Sequence, residues 1–123
     1  MELTKSEMEI MDVFWAANIP LSRSDLLEHG EEKTWKDGSV HILLNRLLRK
    51  GMIQEAGFVR RNKTYGRTFA PTMTREEYFV STIFSHRHKP EPDGLFTALL
   101  NRPEVTAETL ERLQSLLDQH RQG

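Results

Sequence analysis

Residues 37–50 read DGSVHILLNRLLRK, and this stretch predicts the helix that decides the fold. Its apolar side chains recur at spacings of three and four residues, which gathers them on one face of a helix. They are Val40, Leu43, Leu44, Leu47 and Leu48. The opposite face is polar and basic, and Gly51 stands where a helix would end. We therefore expect one face to pack on a core and the other to stay available to a partner.

Two further helices are predicted before this one. Thr4–Glu7 has the spacing of a capping box, and an apolar periodicity over residues 8–15 follows it. Ser22–Asp25 is typical of a second helix start. Trp15 and Trp35 are interpreted as core residues, because aromatic side chains near helix ends usually pack inward. The first 50 residues thus predict three helices.

Two strand-like runs follow the third helix, MIQEAGFV at residues 52–59 and TYGRTFA at residues 64–70. The basic, turn-prone segment between them predicts a hairpin with a charged tip. Three helices followed by a hairpin is the winged-helix order, in which the third helix enters the major groove of DNA. In that arrangement the hairpin, or wing, lies along the backbone or the minor groove. We therefore expect a mainly α fold with a small β-hairpin, containing a winged helix-turn-helix domain.

Charge is segregated along the chain, although the net charge is only −1. Residues 1–32 carry two basic and eight acidic side chains, a balance of −6, whereas residues 41–67 carry seven basic and one acidic, a balance of +6. A local basic stretch is typical of phosphate binding with counterion release. An alternative for the hairpin is a solvated loop whose charges keep an edge strand from aggregating. The predicted phosphate contacts of the hairpin are Arg60, Arg61, Lys63 and Arg67.

Beyond Pro71 the sequence predicts more amphipathic helices. Thr74–Glu77 has the pattern of a second capping box, and Asp93 and Thr106 are expected to cap two later helices. A segment of about 50 residues of this kind can hardly bury its leucines alone, so a homodimer is expected. The predicted domains are a winged-helix DNA-binding domain at residues 1–71 and a helical dimerisation domain at residues 72–123. The predicted dimer contacts are Tyr78, Phe79, Ile83, Phe84, Leu95, Phe96, Leu99, Leu100, Leu110, Leu113, Leu116 and Leu117.

Several function classes find no support in the composition. The chain has no cysteine, which rules out disulfides, thiol nucleophiles and iron–sulfur clusters. No run of apolar residues approaches the ~20 that a transmembrane helix needs, and no signal-peptide pattern opens the chain, so a cytoplasmic location is expected. The pair His86 and His88 resembles a metal chelate but lacks further ligands, and we interpret it as a solvated turn. We expect no cofactor, no metal and no enzymatic activity.

The order and spacing of several motifs resemble the BlaI/MecI/CopY family of penicillinase and copper repressors. The motifs are LTKSEMEIMDVFW at residues 3–15, Trp35 to Lys50 with LLRKGMI at residues 47–53, the hairpin at residues 61–71, TREEY at residues 74–78, and residues 99–113. The resemblance implies a homodimer with an N-terminal winged helix and a C-terminal helical dimerisation region. It also implies repression of genes for β-lactam resistance or metal homeostasis.

The resemblance further implies which residues of the third helix read an operator. For Ile42, contact with a thymine methyl group and packing beneath the hairpin both remain open. For His41, donation to a base or phosphate and simple solvation remain open. Arg46 and Arg49 suit phosphate or guanine contacts. The positions matching those that the family uses near bases are Gly38, Ser39, His41, Ile42 and Asn45.

Two departures from the family pattern bear on its regulation. Copper-sensing members carry paired cysteine motifs near the C-terminus, and this chain has none. In the β-lactam branch a membrane-sensor pathway leads to cleavage of an Asn-Phe bond in the dimerisation region. The matching pair here is Asn101-Arg102, followed by Pro103. If a membrane-sensor-linked protease acts on this chain, its cleavage site is altered or lies elsewhere.

Two hypotheses of different classes follow from the sequence. The first is a dimeric repressor bound to a palindromic operator, motivated by the helix and hairpin order and by the basic residues 41–67. The second is a winged-helix module that binds proteins and has lost DNA binding, motivated by the acidic residues 1–32. An enzyme is a third alternative that no residue recommends.

Overall fold

The computed structural model of the chain describes residues 2–28, 35–61 and 64–123. The predicted order of three helices, a hairpin and further helices is confirmed, and the fold is mainly α with a small antiparallel sheet. The elements are α1 (Lys5–Ala17), β1 (Leu21–Ser22), α2 (Arg23–Glu28), a 3-10 turn (Asp37–Ser39), α3 (Val40–Arg49), β2 (Ile53–Arg61), β3 (Thr64–Pro71), α4 (Arg75–Phe84), α5 (Pro92–Leu100) and α6 (Ala107–Gln122).

Reciprocal capping bonds fix the start of α1. The backbone N–H of Thr4 donates to Glu7 Oε1 at 2.8 Å, and the N–H of Glu7 donates to Thr4 Oγ1 at 3.2 Å. The same exchange starts α2, where the Ser22 N–H donates to Asp25 Oδ2 at 2.8 Å. Two orphan donors are satisfied at each start, which is why these short polar signals locate helices so well. Both predicted helix starts are confirmed.

The sheet has three strands in the order β1-β3-β2, all antiparallel. β3 is central because the two-residue strand β1, which the sequence did not reveal, pairs Leu21 with Phe69. The pairing of β2 with β3 is interrupted between Glu55 and Gly57 by a register shift, where Gly57 has φ 137°. A bulge adds one residue to one strand and increases the local twist. The outer half of the hairpin is therefore reoriented relative to its base.

One hydrophobic core holds the first four helices and the sheet together. α3 packs against α1, α2 and β2, so its apolar face meets side chains from each of them. Trp35 is buried as predicted, and half-buried Trp15 donates its Nε1–H to the Met73 carbonyl at 3.0 Å. The buried apolar residues are Ile10, Met11, Phe14, Leu21, Leu26, Trp35, Val40, Leu43, Leu44, Leu47, Met52, Ile53, Phe69 and Tyr78.

The chain divides into two compact units, Met1–Ser85 and His86–Gly123. α4 belongs to the first unit, because the hydroxyl of Tyr78 accepts a hydrogen bond from the Leu3 N–H at 3.2 Å. The predicted dimer contact of Tyr78 is corrected here, since its side chain is already buried in the core of its own chain. The predicted cap Asp93 is wrong, because α5 begins at Pro92 with Glu91 as its N-cap, so Asp93 lies in the first turn. The functional boundary between residues 71 and 72 stays a prediction.

The second unit, described by itself, consists of α5, α6 and the turn between them. No residue of either helix is buried. The side chain of Thr106 caps α6 by accepting from the Thr109 N–H at 3.2 Å, as predicted from the sequence. Among the residues that the structure describes, no helix is both long enough and apolar enough to cross a bilayer.

Candidate nucleic-acid interface

The outer face of α3 forms the centre of the candidate site. Val40, Leu43, Leu44 and Leu47 bury the inner face, which fixes the rotation of the helix about its axis. Residues three, four and seven positions apart then share the outer face. Ile42 is 44% exposed there, which disfavours the alternative that it packs beneath the hairpin. The exposed residues of this face are His41, Ile42, Asn45, Arg46 and Arg49.

The predicted contacts Gly38 and Ser39 lie in the 3-10 turn that leads into α3. Gly38 is exposed, and a Cβ built on it would meet no heavy atom within 4 Å. Packing within the chain therefore does not require glycine at this position. Ser39 is half-buried, and its side chain makes no capping hydrogen bond to α3. The backbone at Gly38 is thus presented at the start of the helix.

The C-terminal end of α3 gathers positive charge. Arg46 and Arg49 stand in its last turn, where cations complement the helix dipole. They line one surface depression together with Lys50, Thr4 and Glu7. The structure thus brings these two predicted contacts together on the same side as Ile42 and Asn45. No ion pair of either arginine is found within the part of the chain that the structure describes.

A buried ion pair anchors this end of α3 to α1, and no local pattern in the sequence signals it. Lys50 Nζ donates to Glu7 Oε1 at 2.6 Å, and the Glu7 side chain is fully buried. Burial alone would raise the pKa of the Glu7 carboxyl, but the hydrogen bonds from Lys50 and Thr4 outweigh burial. They hold the pKa below its ordinary value of 4.5. The charge of Lys50 is therefore partly used inside the protein.

The wing presents its basic residues unequally. Arg60 pairs in register with Tyr65, and Arg67 with Phe58, which places Arg60 and Arg67 on one face of the hairpin. Arg67 forms an ion pair with Glu55, and its guanidinium lies 5.3 Å from the centroid of the Phe69 ring. The predicted contact Arg61 lies in β2 by its backbone, but its side chain lies outside the described part. Lys63 lies outside the described residues altogether.

Phe58 is a candidate functional residue that the sequence analysis did not single out. Its side chain is 72% exposed in the middle of β2, opposite Arg67. The preceding Gly57 was the available signal, because a glycine inside a strand pattern indicates a bulge that reorients its neighbours. The strand pattern identified Phe58 as an apolar residue of β2 but did not predict that its side chain is exposed.

The predicted dimer contacts lie in two groups. In α4, Phe79 is exposed, while Ile83 and Phe84 are half-buried. In the second unit the predicted residues lie on two helices in which no residue is fully buried. The exposed members are Phe96, Leu99, Leu100, Leu110, Leu116 and Leu117, and the half-buried members are Leu95 and Leu113.

The remaining predicted positions lie in exposed segments. Asn101 and Arg102 occupy the turn after α5, where Arg102 pairs with Glu104 at 3.0 Å. His86 and His88 lie exposed in the bend that follows α4. In the described ranges, no group of three or more His, Asp or Glu side chains is placed to hold a metal ion.

Comparison with known proteins adds two findings. The family model described as penicillinase repressor matches residues 3–119. The chain is also similar to a protein of Latilactobacillus sakei named "Uncharacterized 16.5 kDa protein in ptsI 3'region". The two are 28% identical over 118 residues, which cover 94% of this chain and 78% of the relative.

Proposed function

Because the chain belongs to the penicillinase repressor family, we propose that it represses transcription as a homodimer bound to a palindromic operator. Membership makes it a DNA-binding transcription regulator of the repressor class. The homodimer, the palindrome and the contact residues are the proposal. We further propose that the controlled genes are of the β-lactam-resistance, stress or metal-homeostasis type.

The exposed outer face of α3 is the observation that carries the proposal. A helix enters the major groove only if the face that meets the bases is not covered by its own protein. His41, Ile42 and Asn45 occupy that face and reach outward, while Gly38 leaves room for close approach at the helix start. Asparagine reads adenine, and an apolar side chain reads the thymine methyl group. We propose these residues as the base contacts, together with Ser39.

Arg46 and Arg49 would hold the phosphates, or a guanine, beside the bases read by α3. Both are exposed in the last turn of the helix. On the wing, Arg60 and Arg67 share one hairpin face and would hold a second stretch of backbone. The ion pair with Glu55 opposes this contact, because the carboxylate occupies part of the Arg67 guanidinium and offsets its charge. Glu55 therefore competes with DNA for Arg67.

The homodimer is proposed from α5 and α6. An exposed apolar helix surface gains about 25 cal/mol for each Å² that a partner covers. A twofold dimer would present two α3 helices to one face of the duplex, with half-sites about one helical turn apart or a multiple of it. The exposed Asn101-Arg102 turn lies between these helices, and its role as an induction cleavage site stays a prediction.

The test is selection of bound duplexes from a random pool, followed by footprinting of the selected site. We expect a palindrome whose half-sites are spaced by a whole number of helical turns. Failure of the protein to retard any duplex at low salt would contradict the proposal.

Matched variants then locate the residues that meet the selected operator. Arg46→Gln and Arg49→Gln should weaken binding and reduce the slope of log K against log salt by about 0.9 for each phosphate that is no longer neutralised. Glu55→Gln should act in the opposite direction and strengthen binding, because Arg67 is then freed from its competing carboxylate. If all three variants bind as the wild type does, neither the end of α3 nor the wing touches the backbone.

A winged-helix module that binds proteins rather than DNA remains the second candidate. It is favoured by the acidic residues 1–32, which would repel a duplex that approached α1 closely. Retained dimerisation in a protein that retards no duplex would support it.

A further inference from the structure

Phe58 exposes more of its side chain, 72%, than any other large apolar residue whose exposure the structure describes. It therefore contributes little to the core, and its exposed ring costs solvation free energy in the isolated chain. A strand position of this kind tolerates polar residues without loss of pairing, because the backbone supplies the ladder bonds. The fold leaves the ring available for contact with a partner.

The register of the hairpin shows which side of the wing the ring occupies. Arg67 and Phe69 are two residues apart in β3 and so share a face, and Phe58 is the direct partner of Arg67. Phe69 is buried in the core that the sheet shares with the helices. The face that covers the core at the base of the hairpin therefore continues outward as Phe58, Arg67 and Arg60.

The neighbours of Phe58 identify the partner's chemistry. Arg60 lies two positions along the same strand and Arg67 lies directly opposite, so the ring shares its face with two cationic side chains. Glu55, on the same face, forms an ion pair with Arg67 and reduces the positive charge that a partner would meet. A partner that suits this face has closely spaced anions around an apolar surface. The minor groove of DNA has this arrangement, with phosphates on both edges and deoxyribose walls between them, and proteins insert phenylalanine there. A protein partner would need an acidic rim of the same spacing.

We propose that Phe58 is an apolar contact of the wing with the minor groove beside each operator half-site. The ring packs against the deoxyribose walls while Arg60 and Arg67 meet the phosphates on the two edges. The bulge at Gly57 orients the outer hairpin for this contact. The inference rests on the proposed operator binding and adds to it a residue whose contribution does not depend on charge.

The experiment compares operator affinity by fluorescence anisotropy over a range of salt concentrations. Phe58→Ala should weaken binding about tenfold at every salt concentration with an unchanged slope, because an apolar contact releases no counterions. Phe58→Leu should recover most of the affinity. Ile19→Ala is the matched control, since Ile19 is 63% exposed in the turn after α1 and should not change the affinity. Thermal unfolding should be the same for Phe58→Ala and the wild type.

Three outcomes overturn the inference while leaving operator binding intact. In the first, Phe58→Ala binds the operator as tightly as the wild type does. In the second, Phe58→Ala shifts the free protein towards monomer in sedimentation, which would make the ring a contact between protein chains. The third outcome is measured with an operator whose flanking thymidines are replaced by deoxyuridine, a change that removes only methyl groups in the major groove. If the Phe58→Ala effect disappears on that operator, the ring contacts the major groove. A wild type that binds no duplex instead overturns the proposed function itself.

Discussion

Glu7 and Lys50 show how a single pair of side chains can fix the end of α3 against α1. Their contact joins the first turn of α1 to the residue that follows α3, at a separation of 43 positions in the sequence. Glu7 also closes the capping box of α1, so one carboxylate serves two helices. Sequence spacing located the capping box, because that bond is local. It did not indicate the ion pair, since a contact between distant residues leaves no local pattern.

Glu7→Gln separates these two roles. The glutamine side chain can still accept the Thr4 N–H, but it leaves the ammonium group of Lys50, which is 25% exposed, without its anion. Breaking a fully buried pair costs about 3–5 kcal/mol, and partial hydration of Lys50 reduces the expected drop in unfolding free energy to about 2 kcal/mol. Urea unfolding at pH 7 measures this drop. Glu77→Gln, in the exposed capping box of α4, is the control and should change stability far less.

The contribution of Glu7 should also depend on pH in a defined direction. Its pKa in the folded chain lies below the ordinary value of 4.5. The unfolded chain then binds the proton more readily, so the stabilisation is complete above pH 4.5 and is lost as pH falls through the folded pKa. The difference in unfolding free energy between wild type and Glu7→Gln should therefore shrink below that pH. A difference that stays constant into the acid range would mean that the carboxylate is not ionised in the fold.

At the scale of elements, the end of α3 depends on one glycine. Gly51 has φ 73°, its N–H donates to the Leu48 carbonyl at 3.1 Å, and the Met52 N–H donates to the Leu47 carbonyl at 2.9 Å. This is the Schellman arrangement, in which a left-handed residue satisfies the last carbonyls of a helix. Buried Met52 then leads directly into β2. The turn thus sets the position of the wing relative to α3.

Gly51→Ala should lower the free energy of unfolding by about 1 kcal/mol, because a Cβ disfavours the left-handed conformation. No heavy atom lies within 4 Å of that Cβ, so backbone strain is the whole effect. Gly51→Asn is the matched variant and should cost less, since asparagine tolerates this conformation. Urea midpoints followed by tryptophan fluorescence would show both effects. Equal destabilisation by the two variants would argue against a left-handed residue 51.

Most elements could be predicted from local sequence, and the exceptions have physical causes. The periodicity of α3 marked its buried face correctly, because four positions share a single side of the helix. β1 has two residues, too few for any alternation, and forms only because β3 offers it a free edge. The bulge in β2 is a property of the pairing with β3 rather than of either strand alone. Both β1 and the bulge therefore depend on pairing with β3, which local sequence does not show.

At the scale of the whole molecule, the exposed leucines of α6 are expected to hold two copies together. Leu116→Glu combined with Leu117→Glu should shift the protein in sedimentation velocity from a dimer towards the 14.3 kDa monomer, because carboxylates resist burial. Gln119→Glu adds charge at an exposed position of the same helix and is the control. The double variant should bind a single half-site about as well as the wild type does and lose its preference for the palindrome. A double variant that remains dimeric would place the interface elsewhere.

The sequence predicted which residues of the C-terminal helices are apolar. It did not predict for every one of them whether it packs in the core of its own chain or stays on the surface. Periodicity treats every inward-facing residue alike, so Tyr78 was grouped with Phe79 and the leucines. In the fold Tyr78 packs beside Trp15, with ring centroids 5.9 Å apart, whereas Phe79 is left exposed. Which core a residue joins depends on the path of the chain between helices. The segregation of charge, in contrast, could be predicted from the sequence. The basic residues 41–67 end on α3 and the hairpin however the chain runs between the other elements, provided that α3 and the hairpin lie side by side.

That α5 and α6 bury no residue has a consequence for how the gene circuit responds to dosage. If the proposed homodimer forms through these helices, the amount of dimeric repressor at low abundance grows as the square of chain concentration. Halving synthesis would then remove about three quarters of the active species by mass action. A cell could switch such a promoter by a modest change in supply, without any inducer touching the DNA-reading helix.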